Sequence, residues 1–208
     1  MDTTAIFNYF KELDDRQKDQ FNQLKALYLD WNSKINVISR KDMDHFYEHH
    51  VLHSLAIATY YELLPGMKVM DLGTGGGFPG IPLAILFPDT EFYLIDGTGK
   101  KITVVNAVKD AIGLQNVVAE HKRAEEVKDK FDVVTGRAVM TLPEIANLAG
   151  NKLRIRGDEQ AGGILYLKGG DLKEEFKAIS KYWHYKKTPV SKYFKEDYFE
   201  EKYIVHLY

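Results

Sequence analysis

The chain has no cysteine among its 208 residues, so disulfides, thiolate metal sites and cysteine nucleophiles are all excluded. It also lacks any apolar run near the roughly 18 residues that a membrane-spanning helix requires. Its first residues, MDTTAIFNYFKELDD, are acidic and have neither the basic nor the apolar region of a secretion signal. These absences predict a cytoplasmic protein with no membrane partner.

A strong excess of either charge is missing as well. The chain carries 28 basic and 30 acidic residues, for a formal net charge of −2. This balance excludes proteins that bind nucleic acid through an overall basic surface, so any contact with RNA must be local. Three basic clusters are candidates, although each one alone fits a solvated face at least as well: Lys34 with Arg40 and Lys41, Lys152 with Arg154 and Arg156, and the stretch from Lys181 to Lys195.

The first third of the chain has the pattern of an all-helical segment. Apolar residues recur at helical spacing over residues 6–31 and predict two short helices, and a third helix is expected over residues 43–64. We therefore expect an N-terminal helical cap in residues 1–66, followed by a separate core in residues 67–208.

After the cap, short apolar strands alternate with helical stretches, which is typical of an α/β fold with a mostly parallel sheet. The strands are expected at residues 68–72, 91–96, 117–120, 131–135 and 163–168. The intervening helices are expected at residues 81–87, 100–112, 142–147 and 172–180. Two extended aromatic-rich segments, 183–193 and 202–208, predict an antiparallel β-hairpin at one edge of the sheet.

The segment VMDLGTGGGFPGIPLAILF carries the strongest chemical signal. A strand ends at Asp71, a glycine loop with Gly73 and Gly75 follows, and a helix is expected to start at Pro79 or shortly after. Because glycines allow positive φ and carry no Cβ, a ligand can lie against bare backbone amides beside the helix N-terminus. That arrangement predicts a site for a nucleotide-like cofactor.

A second feature, Asp96, lies sixteen positions beyond Gly80 at the end of the next strand. A carboxylate there can accept hydrogen bonds from both ribose hydroxyls of an adenosine. Enzymes that bind NAD share this layout. However, Asp71 stands two residues before Gly73, where a carboxylate can face a cationic methionyl end. This favours S-adenosylmethionine.

Six stretches together resemble one family: DLGTGGGFPGIPLA, LIDGTGKK, WNSKINVIS, HVLHSLAI, GRAV and LYLKGG. They are similar to the RsmG (GidB) small-subunit ribosomal RNA guanine-N7 methyltransferases, from about Leu24 to Gly170. The resemblance implies a class I (Rossmann-like) methyltransferase fold with S-adenosylmethionine as cofactor. It also implies methylation of one guanine, at position 527 of 16S rRNA, within the small ribosomal subunit or an assembly intermediate, with no obligate protein partner.

The resemblance also assigns roles to individual residues. With Gly75 from the loop itself, the expected cofactor contacts are Gly73, Gly75, Phe78, Asp96, Thr98, Ala124, Glu125 and Arg137. No catalytic residue is certain, but Arg137 and Lys168 are candidates to position the base, and His50 and Lys168 to contact RNA. The alternatives without a functional role are core packing for Phe78, a surface ion pair for Arg137 and a solvent-exposed lysine at a strand end for Lys168.

Three histidines, at positions 45, 49 and 53, would share one face of an α-helix. They would span roughly 12 Å at 1.5 Å per residue, so at most two neighbours could share an ion, and we expect no metal. The chain departs from the resembled family here. Many members have an Arg before His50 and an Asp at position 53, where this chain has His49 and His53.

The implied reaction requires no general base, because guanine N7 presents an unprotonated lone pair to the methyl group. Catalysis would then depend on alignment of the reacting atoms. Two alternatives stay open at this point: a methyltransferase of the same fold with another substrate, and a module that binds S-adenosylmethionine without turnover.

Overall fold

The computed structural model describes residues 2–179 and 181–208. Within them lie seven α-helices: α1 (Thr4–Tyr9), α2 (Asp15–Lys34), α3 (His53–Tyr60), α4 (Gly80–Leu86), α5 (Gly99–Ala111), α6 (Leu142–Gly150) and α7 (Lys173–Ala178). The strands are β1 (Lys68–Leu72), β2 (Glu91–Asp96), β3 (Val117–His121), β4 (Val133–Arg137), β5 (Gly163–Gly169), β6 (Tyr185–Pro189) and β7 (Lys202–Leu207).

The seven strands form one sheet in the order β3-β2-β1-β4-β5-β7-β6. Strands β1 to β5 are parallel to one another, whereas β7 pairs antiparallel with both β5 and β6. The predicted α/β class and the antiparallel hairpin at one edge are therefore confirmed. From β1 the chain proceeds outwards through β2 to β3, and it then crosses to β4 on the other side of β1 and proceeds outwards to β5. The strand order therefore reverses between β1 and β4, and the carboxyl ends of these two strands border a crevice suited to a ligand.

Two predicted boundaries near this crevice are wrong. The fourth strand was expected over residues 131–135 but runs from Val133 to Arg137. Phe131 instead forms an isolated bridge with Leu153. Arg137 thereby becomes the last residue of β4, and its side chain starts at the carboxyl edge of the sheet.

The second cap helix is not short, since α2 spans 20 residues. Asp14 starts it with a capping box, in which its side chain accepts from the Gln17 amide and the Gln17 side chain accepts from the Asp14 amide. Four side chains on one face, Gln20, Phe21, Leu24 and Tyr28, are buried. This face packs on α4 and α5, so the cap shares one hydrophobic cluster with the core.

The third cap helix also differs from the prediction. A π-helical segment, Phe46–Leu52, leads directly into α3, which ends at Tyr60 because Tyr61 is extended. A π-helix has more residues per turn than an α-helix, so the face expected from α-helical spacing is lost. His45 consequently stays exposed while His53 is buried.

Towards the C-terminus, only Tyr185–Pro189 of the expected extended segment 183–193 is a strand, and a short 3₁₀ helix follows it. The helix predicted over residues 172–180 spans Lys173–Ala178, and Ser180 lies outside the described residues. No helix in the described part of the chain is both long and apolar enough to cross a membrane.

Candidate functional site

The glycine loop joins β1 to α4 at the carboxyl edge of the sheet. Gly73, Gly75 and Gly77 all have positive φ, at 69°, 58° and 97°. The Thr74 amide donates to the Ile95 carbonyl of the neighbouring strand at 2.9 Å. The loop is thus held against β2 while its glycines adopt conformations that side chains with a Cβ disfavour.

Asp71 holds this loop from inside. Its carboxylate is fully buried and accepts hydrogen bonds from the Thr74 hydroxyl at 2.6 Å and the Gly80 amide at 2.8 Å. Burial raises the pKa of Asp71 to about 6, and these hydrogen bonds oppose the shift. One carboxylate oxygen of Asp71 thus ties the loop to the start of α4, and a role of Asp71 towards a cationic methionyl end stays a prediction.

Gly75 borders open space at the tip of the loop, and the buried Asp96 carboxylate lies directly beside it. A Cβ on Gly75 would meet no atom within 4 Å. The Asp96 carboxylate accepts from the amides of Gly75 at 2.9 Å and Thr98 at 2.8 Å. Open space at a loop glycine, next to a strand-end carboxylate, fits the adenosine part of a cofactor. The structure therefore brings Gly75, Asp96 and Thr98 together as the sequence predicted.

The other expected cofactor residues lie along the same edge. The Lys122 amide donates to the Asp96 carbonyl at 3.2 Å, which ties the end of β3 to the end of β2. Ala124 is buried and Glu125 is exposed in the short 3₁₀ helix that follows. Gly73 is covered rather than open, since a Cβ there would lie 2.8 Å from the Val139 side chain.

Phe78 lies in a packed aromatic cluster. Its ring centroid is 5.1 Å from Tyr28, 5.3 Å from His50 and 5.9 Å from Phe46. Only 4% of Phe78 is exposed. These contacts match core packing, which was the alternative to a cofactor contact for Phe78. They also anchor the C-terminal half of the loop to the cap.

Sequence reasoning missed how the cap supports the loop. The Tyr28 hydroxyl of α2 donates to the Gly76 carbonyl. The Asn32 side chain accepts from the amides of Val37 and Ile38, and the turn it stabilises places Val37 against Gly76. In the sequence, Tyr28 is one more apolar position of a helix, and only the motif WNSKINVIS gave a signal for the turn.

Arg137 reaches from the end of β4 to the π-helical segment. Its guanidinium donates to the His49 carbonyl at 3.0 Å and to Nδ1 of His50 at 2.9 Å. The guanidinium carbon also lies 5.3 Å from the centre of the Phe78 ring. Burial lowers the pKa of Arg137, although it stays charged. The ion pair expected as an alternative for Arg137 is absent among the described residues, and its partners are a carbonyl and a neutral ring.

Lys168, at the end of β5, is engaged by protein groups. Its ammonium lies 2.8 Å from the Glu175 carboxylate and donates to the Met140 carbonyl at 3.2 Å. The Tyr166 hydroxyl accepts from the amides of Val139 and Met140. Together these groups fix the loop after β4, which covers Gly73.

Arg137, Lys168 and His50 meet at one cavity of about 190 Å³. It opens at the carboxyl ends of β4 and β5, and Tyr198 and Lys202 form its C-terminal side. His49, His50 and His53 also line it. Within the described part of the chain, Nε2 of His50 and both ring nitrogens of His53 are buried without a hydrogen-bond partner.

Both imidazoles are neutral near physiological pH. Burial lowers the pKa of His50 to about 3, with a further contribution from the Arg137 charge. Burial likewise lowers the pKa of His53 well below its usual value, and the Arg137 charge lowers it further. Buried polar atoms without partners are uncommon in folded proteins and call for an explanation.

The three histidines at positions 45, 49 and 53 do not form one row. His45 and His49 stack at 4.7 Å between ring centroids, and a ligand atom of Glu48 lies within 4.8 Å of theirs. His49 also stacks on Tyr198 at 3.8 Å between ring centroids. His53 is turned into the interior, so the π-helix breaks the expected row. The expectation of no metal stays a prediction.

A larger groove, of about 620 Å³, lies at the opposite edge of the sheet, where Lys68, Glu91 and Asn116 mark the amino ends of strands. Ligands of open α/β sheets bind outside the carboxyl ends of the strands. The candidate site is therefore the glycine loop with the adjoining cavity.

Comparison with known proteins identifies the family. Residues 17–199 match the family described as GidB, rRNA small subunit methyltransferase G. The chain is 52% identical to the ribosomal RNA small subunit methyltransferase G of Flavobacterium johnsoniae, over 97% of this chain and 96% of that one. It is 50% identical to the protein of the same name from Bacteroides thetaiotaomicron, over 97% of each chain.

Among solved structures, a precorrin-6y C5,15-methyltransferase from Geobacter metallireducens aligns with a TM-score of 0.57 at 13% identity. The alignment covers 84% of this chain and 91% of that one, and it shows the fold alone. The expected class I (Rossmann-like) methyltransferase fold is thereby confirmed. With this fold, and with identities near one half along almost its entire length, the chain belongs to the rRNA small subunit methyltransferase G family.

Proposed function

We propose that this chain transfers a methyl group from S-adenosylmethionine to N7 of one guanine of 16S rRNA, at position 527. The substrate form is the small ribosomal subunit or an assembly intermediate, and the reaction takes place in the cytoplasm without an obligate protein partner. The observation that carries this proposal is the family match over residues 17–199. The open space at Gly75 beside Asp96 supports the cofactor.

In this proposal, the core of residues 67–208 binds the cofactor and the cap of residues 1–66 buttresses the loop. Asp96 and Thr98 hold the ribose end, and Ala124 and Glu125 border the adenine. Gly75 exposes backbone to the ligand, Gly73 lets the loop after β4 pack closely against the cofactor loop, and Phe78 shapes the loop from behind. The hydrogen bond from the Tyr28 hydroxyl to the Gly76 carbonyl supports the role of the cap, because it connects the cap directly to the cofactor loop.

S-adenosylmethionine, when bound, would supply an electrophilic methyl group: N7 would bond to the methyl carbon as the carbon–sulfur bond breaks, and neutral S-adenosylhomocysteine would leave with no proton to remove. The chain's own task is to align the base and exclude water, and alignment alone can contribute several kcal/mol. No side chain at the cavity has to act as a base.

Positive charge passes to the purine during the reaction, so uncompensated cations beside the base would oppose it. Lys168 is compensated by Glu175 at 2.8 Å. Arg137 directs its guanidinium at a carbonyl and an aromatic ring. His50 and His53 are neutral, because burial lowers the pKa of both. Lys168 and the two imidazoles thus add no uncompensated charge to the cavity, which supports a role of these groups in positioning a base.

The test is transfer of radiolabelled methyl groups to intact small subunits, stripped 16S rRNA and unrelated RNA. We expect label on one guanine N7 of 16S rRNA, most efficiently in the ribosomal particle, and little label on random RNA. Equal labelling of every RNA, or label on protein, would overturn the assignment.

The cofactor is tested separately by calorimetry on the purified chain. S-adenosylmethionine and S-adenosylhomocysteine should bind, whereas NAD should give no heat of binding. Cofactor binding without transfer to any RNA would instead indicate a non-catalytic module.

A further inference from the structure

We infer that His50 selects guanine as the target base by donating a hydrogen bond from Nε2 to the O6 atom of the purine. This inference rests on the proposed function, because it names the group that recognises the base in the same site. It makes His50 a specificity-determining residue and gives Arg137 the role of positioning it.

The tautomer of His50 is set by Arg137. An arginine side chain has five N–H donors and no acceptor. Since a guanidinium nitrogen of Arg137 lies 2.9 Å from Nδ1 of His50, Nδ1 must accept that hydrogen bond. A neutral imidazole carries one proton, so the proton is on Nε2. Burial keeps the ring neutral, with a pKa of about 3. Arg137 therefore fixes His50 as a donor through Nε2.

That donor faces no acceptor of the protein. Nε2 of His50 is buried and has no hydrogen-bond partner among the described residues. His50 lines the 190 Å³ cavity together with Arg137, Ala138 and His53. A buried donor without a partner is unfavourable, and a ligand acceptor would remove this penalty. His50 therefore brings an unpaired donor to the wall of the cavity, and a base that enters far enough to contact Nε2 would supply the missing acceptor.

The cavity lies beside the transfer site. The ring centroids of His50 and Phe78 lie 5.3 Å apart, and Phe78 belongs to the glycine loop. Ala138 lines the cavity and is followed directly by Val139, which covers Gly73 of the same loop. A base in the cavity would thus lie next to the loop that holds the methyl donor.

Guanine has the hydrogen-bonding pattern that this donor requires. It presents N7 and O6 on one edge, both acceptors, whereas adenine presents N7 beside an N6 amino donor. A fixed donor opposite position 6 favours guanine and leaves two donors facing each other with adenine. Because the imidazole is neutral, it discriminates without adding charge next to the purine that becomes cationic.

The experiment combines a change in the protein with a change in the base. Small subunits are reconstituted with 16S rRNA that carries either guanine or 2-aminopurine, which lacks O6, at the target position. Single-turnover methyl transfer is measured for the wild type, His50→Phe and His50→Gln. His45→Phe, a change of the same kind at an exposed ring of the same region, is the matched control.

The wild type should prefer guanine over 2-aminopurine by about ten- to hundredfold. In His50→Phe, transfer to guanine should fall by a similar factor and the preference should approach one. His50→Gln, whose amide can both accept from Arg137 and donate, should recover part of the preference, and His45→Phe should keep all of it. Binding of S-adenosylhomocysteine should be unchanged in every variant.

A His50→Phe variant that binds S-adenosylhomocysteine and keeps the full preference for guanine overturns this inference. Equal loss of transfer to both bases would also overturn it, because that pattern indicates a structural role only. The proposed function fails in a different way, namely if the wild type transfers no methyl group to guanine N7 of rRNA.

Discussion

At the residue scale, two glycines of the loop lack a Cβ for different structural reasons. Gly73 and Gly75 both have positive φ. A Cβ on Gly73 would collide with Val139 at 2.8 Å, whereas one on Gly75 would enter open space. Gly73 therefore permits close packing of the loop after β4, and Gly75 keeps the cofactor cleft clear.

Replacing Gly75 by valine should abolish cofactor binding, because a β-branched side chain would fill the cleft and resist positive φ. Gly113→Val is the matched control, since Gly113 has φ of 69° and no atom within 4 Å of its Cβ position. Thermal unfolding should show a similar loss of stability in both variants. Calorimetry with S-adenosylhomocysteine should show loss of binding only for Gly75→Val, and equal affinity in the two variants would contradict this role.

The raised pKa of Asp71 predicts a dependence of stability on pH. Its folded pKa is about 6 against 3.8 for the free group, so between these values the folded state binds more protons than the unfolded state. The contribution of Asp71 is thus most favourable below about pH 4 and is lost as pH rises through 6. The full change amounts to about 3 kcal/mol.

Asp71→Asn removes this titration while keeping an acceptor for Thr74 and Gly80. Urea unfolding of both proteins between pH 4 and pH 7 should show the wild type losing stability relative to the variant as pH rises. The comparison cancels the other titrating groups. A difference between the two free energies of unfolding that stays constant over this range would refute the shift.

At the scale of elements, the π-helical segment decides which histidines face the cavity. It turns His53 inward, where only 5% of the residue is exposed and neither ring nitrogen has a hydrogen-bond partner among the described residues. His206 of β7 is also buried, but its Nε2 lies 2.9 Å from the Gly162 carbonyl and its Nδ1 3.2 Å from the Tyr60 hydroxyl. The His53 imidazole at the start of α3 thus lacks hydrogen-bond partners among the described residues, whereas the His206 imidazole in β7 has two.

These two histidines should respond in opposite directions to leucine. His53→Leu should raise the free energy of unfolding by about 1–3 kcal/mol, since it removes buried polar atoms without partners. His206→Leu should lower it, because the Gly162 carbonyl loses its imidazole partner and the Tyr60 hydroxyl keeps only Glu159. Urea unfolding at pH 7 measures both, and a destabilised His53→Leu protein would show that its imidazole is satisfied after all.

His53 and His206 also predict how the free energy of unfolding changes as the pH falls. The pKa of each histidine is lowered by burial, so the stability they contribute is complete above about 6.5 and is lost as pH falls below it. The advantage of His53→Leu over the wild type should therefore grow between pH 7 and pH 5 in the same urea titrations.

At the scale of the whole molecule, the three basic clusters are largely engaged by the protein itself. Lys34 pairs with Asp30, and Arg154 pairs with Asp132, each at 2.8 Å. Lys152 is buried and donates to the Val127 carbonyl. In the C-terminal stretch, Lys186 pairs with Glu159 and Lys187 lies 3.7 Å above the Tyr203 ring. Within the described ranges, these clusters therefore offer few free cations for phosphate contacts.

Binding to naked 16S rRNA fragments should accordingly depend only weakly on salt. Each phosphate contact on a single strand adds about 0.7 to the slope of log affinity against log salt, and we expect a total below about 3. Lys202→Gln, at the side of the cavity, should lower the slope by about one contact. Titrations at several salt concentrations measure the slope, and a value near ~8 would indicate a broad basic surface instead.

The sequence by itself determined the features that depend on local pattern. Alternating apolar strands and helices predicted the parallel sheet, because periodicity and turn chemistry are local properties. The glycines after Asp71, with Asp96 at the next strand end, predicted where a cofactor fits for the same reason. The motifs of the loop also sufficed to indicate the family.

Only the tertiary structure decided the features that depend on packing between distant segments. Arg137 and His50 are 87 positions apart, and their contact arises where the end of β4 meets the cap. The hydrogen bonds of the Asp71 carboxylate with Thr74 and Gly80 likewise depend on how the loop folds back over the end of β1. The π-helix separated His53 from His45, since packing of the cap overrode α-helical spacing. Such contacts leave no periodic trace in a sequence, because each depends on the whole fold that surrounds it.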